Sequence, residues 1–200
     1  MKTFEQFKYD FLKRLNLNFD DFTLTDDQFD HQSTVHGINH IFRVMFNCLL
    51  IGKVLNDVTT TRRAFMAAYI HDLARTHDNS CMAHGPNSAK YKLPLYEKLF
   101  RKNGSTDTDL SAIKLAVTNH SHQVEIEKSD PYYKTVALLR DADGLDLVRL
   151  DREINPHILR YRESRRFIDT AQVLFEATDD EDYYSFNEFL EENILFYEKF

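Results

Sequence analysis

The chain has 200 residues, enough for one domain with its own core, and a hydrophobic content of 42% with 16 Phe and 10 Tyr excludes a chain disordered throughout. A formal net charge of −7 argues against a nucleic-acid partner, because duplex binding draws its affinity from Lys and Arg that neutralise phosphates. The two cysteines, Cys48 and Cys81, form no CxxC pair, so neither a disulfide framework nor a thiolate zinc site is expected, and a reducing, cytoplasmic setting fits.

Only five Gly and four Pro interrupt the chain, and apolar residues recur at three- and four-residue spacing, as in Phe4, Phe7, Phe11, Leu12 and Leu15. The expected fold is all-α. The pattern predicts helices at about 3–16, 36–56, 61–74, 87–102, 108–121, 131–149, 156–178 and 182–199, in one domain over residues 1–200 whose core is at about 34–150 and whose C-terminal helical extension is 151–200. The N-terminus, Met1 to Glu5, leads into a charged amphipathic stretch. The longest apolar segment, around Cys48 to Ile51, is too short to span a bilayer, so no membrane partner is expected. Asp107, Asp109 and Ser111 ahead of Ile113, Leu115 and Val117 read as a capped helix start.

The chemistry-bearing residues come in a fixed order. His36 and His40 stand at i and i+4, on one helix face and one turn apart. An isolated pair of this kind is more often two ordinary surface histidines. This pair is followed by the apolar run Ala64 to Ile70, which leads directly into His71-Asp72, and a carboxylate at the end of a buried segment must be paired or bound to a cation. Neutral imidazole beside carboxylate suits a borderline divalent ion; a salt bridge from Asp72 to Arg75 is the alternative. A turn-rich stretch, Asp78 to Pro86, then delivers His84 just ahead of the next helix. The helix after that ends at His120-Ser121-His122. Residues two apart face nearly opposite ways, and His120 continues the apolar stripe, so His120 is the candidate ligand. Last comes the acidic run Asp141, Asp143 and Asp146, whose carboxylates repel unless a cation is present. Asp141 follows the apolar helix directly and is chosen as the ligand, with Asp143 and Asp146 as capping or supporting groups. Three glycines, Gly37, Gly85 and Gly144, sit within three residues of these groups, where the backbone has to turn sharply or approach closely.

The ordered set resembles the HD-domain superfamily of metal-dependent phosphohydrolases, through HxxxHxxRV at His36–Val44, HDxxR at His71–Arg75, HG at His84, HS at His120 and DADGLD at Asp141–Asp146. The form is similar to bacterial HD proteins with extra histidines for a second metal. The resemblance implies an HD-like helical bundle with one ion held by His40, His71, Asp72 and Asp141, and a second held by His84 and His120 with Asp72 as a bridge. It also implies His36 as the general acid, since in animal cyclic-nucleotide phosphodiesterases the first histidine of such a pair protonates the leaving oxygen. The tandem HH and GYP signature of cyclic-dinucleotide phosphodiesterases is missing, which disfavours cyclic di-GMP.

The expected function is therefore hydrolysis of a small phosphorylated metabolite, a nucleotide or related phosphoester, through metal-activated water. The alternatives are an HD-fold di-iron oxygenase and a non-catalytic metal-binding regulatory module. Asp72 would bridge the ions and orient the water. Arg75 has two readings of equal weight, phosphate binding or a salt bridge to Asp78. One or two divalent transition ions are expected, with Mn or Fe favoured over Co, Ni, Zn and Mg by a mixed His and carboxylate donor set.

Overall fold

A computed structural model describes residues 4–122 and 124–200, with side chains from residue 10 onward. In chain order its helices are α1 (Phe4–Leu15), α2 (Ile38–Leu55), α3 (Val58–Ile70), α4 (His84–Asn87), α5 (Leu93–Lys102), α6 (Asp107–His120), α7 (Tyr133–Leu145), α8 (Ile168–Thr178), α9 (Phe186–Glu192) and α10 (Ile194–Glu198). The fold is all-α. Among the described residues the β pairing is one isolated antiparallel bridge between Thr23 and Ser185.

The bundle is built around α2, buried without interruption from His40 to Gly52 and packed against α3 and α7. The helices α3, α6 and α7 also pack on one another, which closes a four-helix core. By length and composition α2 could cross a membrane, a property the sequence reading understated, but 72% of it is buried inside the bundle. Its apolar surface is spent on Phe42, Phe46, Leu49 and Leu50, all with no exposure. Edge-to-face contacts then fasten the C-terminal part to this core. Phe186 lies 4.9 Å from Phe65 and 5.9 Å from Phe42, ring centre to ring centre.

Local chemistry sets the helix limits. The Asp57 side chain accepts the Thr60 N–H at the start of α3. Thr106 and Asp109 form a capping box that starts α6 one residue earlier than predicted. Of the predicted α1 stripe, Phe11 and Leu15 are buried, whereas the side chains of Phe4 and Phe7, like residue 3 of the predicted helix, lie outside the described ones.

Several expected helices differ: the one at 87–102 is π-helical over Ser88–Lys92, and the one at 131–149 ends in a 3-10 segment, Asp146–Leu150. The stretch predicted as helix from 156 is not α-helical until Ile168, and holds two 3-10 turns instead, Pro156–Ile158 and Glu163–Phe167. The cause is Asp141, whose carboxylate captures the backbone N–H groups of Arg160 and Tyr161, at 2.7 and 2.8 Å. The predicted helix at 182–199 is broken at Asn193 into α9 and α10.

Candidate metal centre

Five helix ends deliver the site. His40 lies in the first turn of α2, His71 and Asp72 in the turn that ends α3, His84 at the first position of α4, and His120 at the last of α6. Near the end of α7 stands Asp143. The donor atoms form three overlapping groups that can hold a metal ion: His40, His71 and Asp72; His71, His120 and Asp143; and Asp72, His84 and His120, each within 4.8 Å. The close seating of α4 on α6 depends on Gly85, because a β-carbon there would stand 2.7 Å from both the Val117 carbonyl and Ser121 Oγ. Gly37 is similarly confined, since a β-carbon there would stand 2.5 Å from the Ser33 carbonyl oxygen, whereas Gly144 has ordinary room.

The hydrogen bonds assign the ring nitrogens. His71 Nδ1–H donates to the Ala68 carbonyl at 2.7 Å and His120 Nδ1–H to the Val117 carbonyl at 2.7 Å. His40 Nδ1–H donates to Asp146 Oδ2, also at 2.7 Å. A neutral imidazole with its proton on Nδ1 has a bare lone pair on Nε2. Yet His40 Nε2 and His71 Nε2 approach to 3.1 Å, and His84 Nε2 and His120 Nε2 to 2.8 Å. In the first pair both lone pairs face one another, an arrangement that can serve as the donor set of a cation; in the second the His84 Nδ1 has no hydrogen-bond partner, so no bond assigns its tautomer. An imidazole whose other nitrogen is fixed by a carboxylate or carbonyl is the usual support for a metal ligand.

Asp72 stands between the two pairs. Its Oδ2 is 3.4 Å from His40 Nε2 and 3.8 Å from His71 Nε2; its Oδ1 is 3.1 Å from His84 Nε2 and 3.4 Å from His120 Nε2. Burial works against ionisation of this carboxyl, but the imidazoles around it, His71 foremost and then His120, His40 and His84, hold its pKa well below the ordinary range. Burial pushes His71 down to about 3 against the pull of Asp72, and lowers His84 as well. At neutral pH His71 and His84 are therefore neutral imidazoles and Asp72 an ionised carboxylate. Asp143 adds to it: burial raises its pKa, but His71, His40 and Arg149 outweigh that and hold it at about 2. With a side chain 27% exposed, Asp143 is also the most open member.

The structure brings together five of the six expected ligands, His40, His71, Asp72, His84 and His120, and separates Asp141 from them. Besides the two backbone N–H groups, Asp141 accepts the Ser164 hydroxyl at 2.8 Å, and burial raises its pKa. It anchors the chain at 160–164, and Asp143 takes its place at the cluster. Asp146 supports His40 and is itself held by Arg43 Nε at 2.7 Å. Arg75 makes the salt bridge to Asp72 that the sequence offered as the alternative there, and not one to Asp78: its Nε donates to Asp72 Oδ2 at 2.9 Å and its Nη1 to the Asn79 carbonyl at 3.4 Å. The His36 ring lies edge to face with His40, 5.8 Å between centres. The contacts of Asp143 with the cluster and of Asp78 with His36, Oδ1 to Nδ1 at 3.2 Å, are the ones sequence reasoning missed. The second carboxylate of the DADGLD run was the available signal for the first, and Asp78 carried none beyond its place in a turn. The chain matches no protein-family model, no curated protein and no solved structure.

Proposed function

We propose that the chain is a metal-dependent phosphohydrolase of the HD-domain type, acting on a small phosphoester such as a nucleotide and using two divalent ions, Mn or Fe. One observation carries this reading: Asp72 shares its two oxygens between two pairs of histidines whose Nε2 atoms face one another, the donor arrangement of a carboxylate-bridged ion pair. His40, His71, Asp72 and Asp143 would hold one ion, and Asp72, His84 and His120 the other. Such ions, when bound, lower the pKa of water to about 7 and neutralise phosphoryl oxygens.

The chain's own residues supply the rest. Asp143, the least covered of the carboxylates, marks the side on which substrate arrives. Arg75 holds Asp72 and brings a positive charge to the edge of the cluster. His36, one turn from His40, donates a proton to the leaving oxygen. Burial pushes His36 down to about 4, with Asp72 opposing; a phosphate dianion beside the ring adds to that opposition and favours the protonated donor.

The test is metal analysis of protein purified without added ions, followed by a phosphoester panel with Mn, Co, Ni and Mg. Phosphate release supports the proposal. Bound iron with oxygen uptake and no phosphoester turnover assigns the chain to the di-iron oxygenases instead, and firmly held metal without turnover of any kind makes the site a structural staple. Asp72→Ala is expected to lose both ions.

A further inference from the structure

The turn between α3 and α4 holds a carboxylate with no part in this chemistry so far. Asp78 Oδ1 stands 3.2 Å from His36 Nδ1, and Asp78 Oδ2 stands 3.4 Å from His31 Nε2. The His36 side chain is 5% exposed and that of Asp78 46%, so a carboxylate rooted at the surface reaches a buried ring. Ser33 completes the arrangement: its Oγ accepts the N–H groups of Val35 and His36, at 3.0 and 2.9 Å, and its side chain bonds Asp78.

We infer that Asp78 is a positioning residue for His36, fixing which ring nitrogen carries the proton and leaving Nε2 to serve the substrate. An ionised carboxylate only accepts, so Nδ1 must hold the hydrogen of this bond. The same bond restrains ring rotation, as the aspartate does in a Ser-His-Asp triad. With Oδ2 turned to His31, Asp78 keeps Oδ1 on the His36 side. What His36 then does rests on the phosphohydrolase reading; the tautomer assignment does not.

A loop clip would account for the same contacts, and Ser33 separates the two roles. Ser33→Ala removes the turn's own anchor and keeps the carboxylate. The experiment uses the full chain with Zn²⁺ and nitrogen-labelled histidine, with long-range proton–nitrogen NMR reading the His36 tautomer. Wild type and Ser33→Ala are expected to show the Nδ1–H form, Asp78→Ala to lose it, and Asp78→Glu to restore part of it. An Nε2–H form in wild type, or an Nδ1–H form kept in Asp78→Ala, overturns the inference. In parallel, Asp78→Ala is expected to lower kcat about a hundredfold on an alkyl phosphate, within the usual range for a positioned acid. On 4-nitrophenyl phosphate, whose leaving group needs no proton, the loss should stay within about threefold, with KM unchanged on both. Equal losses on the two esters overturn the positioning role. A wild type that hydrolyses neither ester while its tautomer depends on Asp78 refutes the phosphohydrolase reading and leaves the assignment of Asp78 standing.

Discussion

Asp141 and Asp143 lie two residues apart on α7 and serve different parts of the molecule: Asp141 accepts the N–H groups of Arg160 and Tyr161, while Asp143 stands 3.6 Å from His40 Nε2. Two helical steps turn a side chain through about 200°, so the pair cannot share a partner. Asp143→Ala is expected to weaken metal binding by at least about tenfold to a hundredfold, as loss of a group at a metal site does. Asp141→Ala is expected to leave metal content unchanged, cost about 1–3 kcal/mol from the stranded N–H groups, and open the chain near 160 to protease. Metal analysis and limited proteolysis of the two variants side by side check both expectations.

The contact of Gly85 with the end of α6 separates the two halves of the cluster. Gly85→Ala should push His84 off His120 and Asp72, because the atoms in the way include the backbone carbonyls of Val117 and Thr118. The expected cost is about 1–3 kcal/mol of overpacking. Metal stoichiometry should fall by one ion while the His40 and His71 side stays filled. Full stoichiometry in a folded Gly85→Ala variant would contradict the seating described for α4.

Arg43 and His40 both depend on Asp146. Asp146→Ala leaves the Arg43 guanidinium, 2% exposed, without its main partner, and breaking a buried pair in this way costs about 3–5 kcal/mol. His40 loses the acceptor that holds its tautomer, so metal affinity should fall together with stability. Denaturant unfolding with and without metal measures both effects. Loss of stability without loss of affinity would restrict Asp146 to the core.

The buried histidines give the metal-free chain a defined acid sensitivity. His71 and His36 are lowered to about 3 and about 4 in the fold, against 6.5 as the ordinary value. Between those limits the unfolded chain binds more protons than the folded one, so folding free energy falls as pH falls. The contribution is fully present above about pH 6.5 and disappears as pH drops through 4 and then 3. Urea unfolding in chelator at pH 7, 5.5 and 4 should show midpoints that decrease in that order, and a flat series would show that these rings are not buried neutral.

The sequence makes the helices and most of the site readable because both depend on short-range order. The i, i+4 spacing of His36 and His40, and the apolar run that forces His71 and Asp72 inward, act over one or two turns. The choice between Asp141 and Asp143 is different. Helix α7 is buried from Thr135 to Ala142, so its hydropathy has no polar face from which to read its rotation. The carboxylate that follows the apolar residues most directly therefore looks equivalent to the one two places on. The non-helical stretch after 156 has a similar cause, since its N–H groups are taken by a residue about twenty positions earlier. Asp78 is 42 positions from His36, and nothing local to either announces the bond.

The hydrogen bonds from His71 and His120 to carbonyls three residues back, on their own helices, bear on how the centre is filled and emptied. Each ring is aimed by the peptide chain beside it, without help from the ion or from a distant loop. The orientational entropy of those ligands is spent when the helices form, well before any cation arrives. The apo chain is thus a finished seat, and a chelator should strip it and a metal salt refill it with the helical content unchanged throughout.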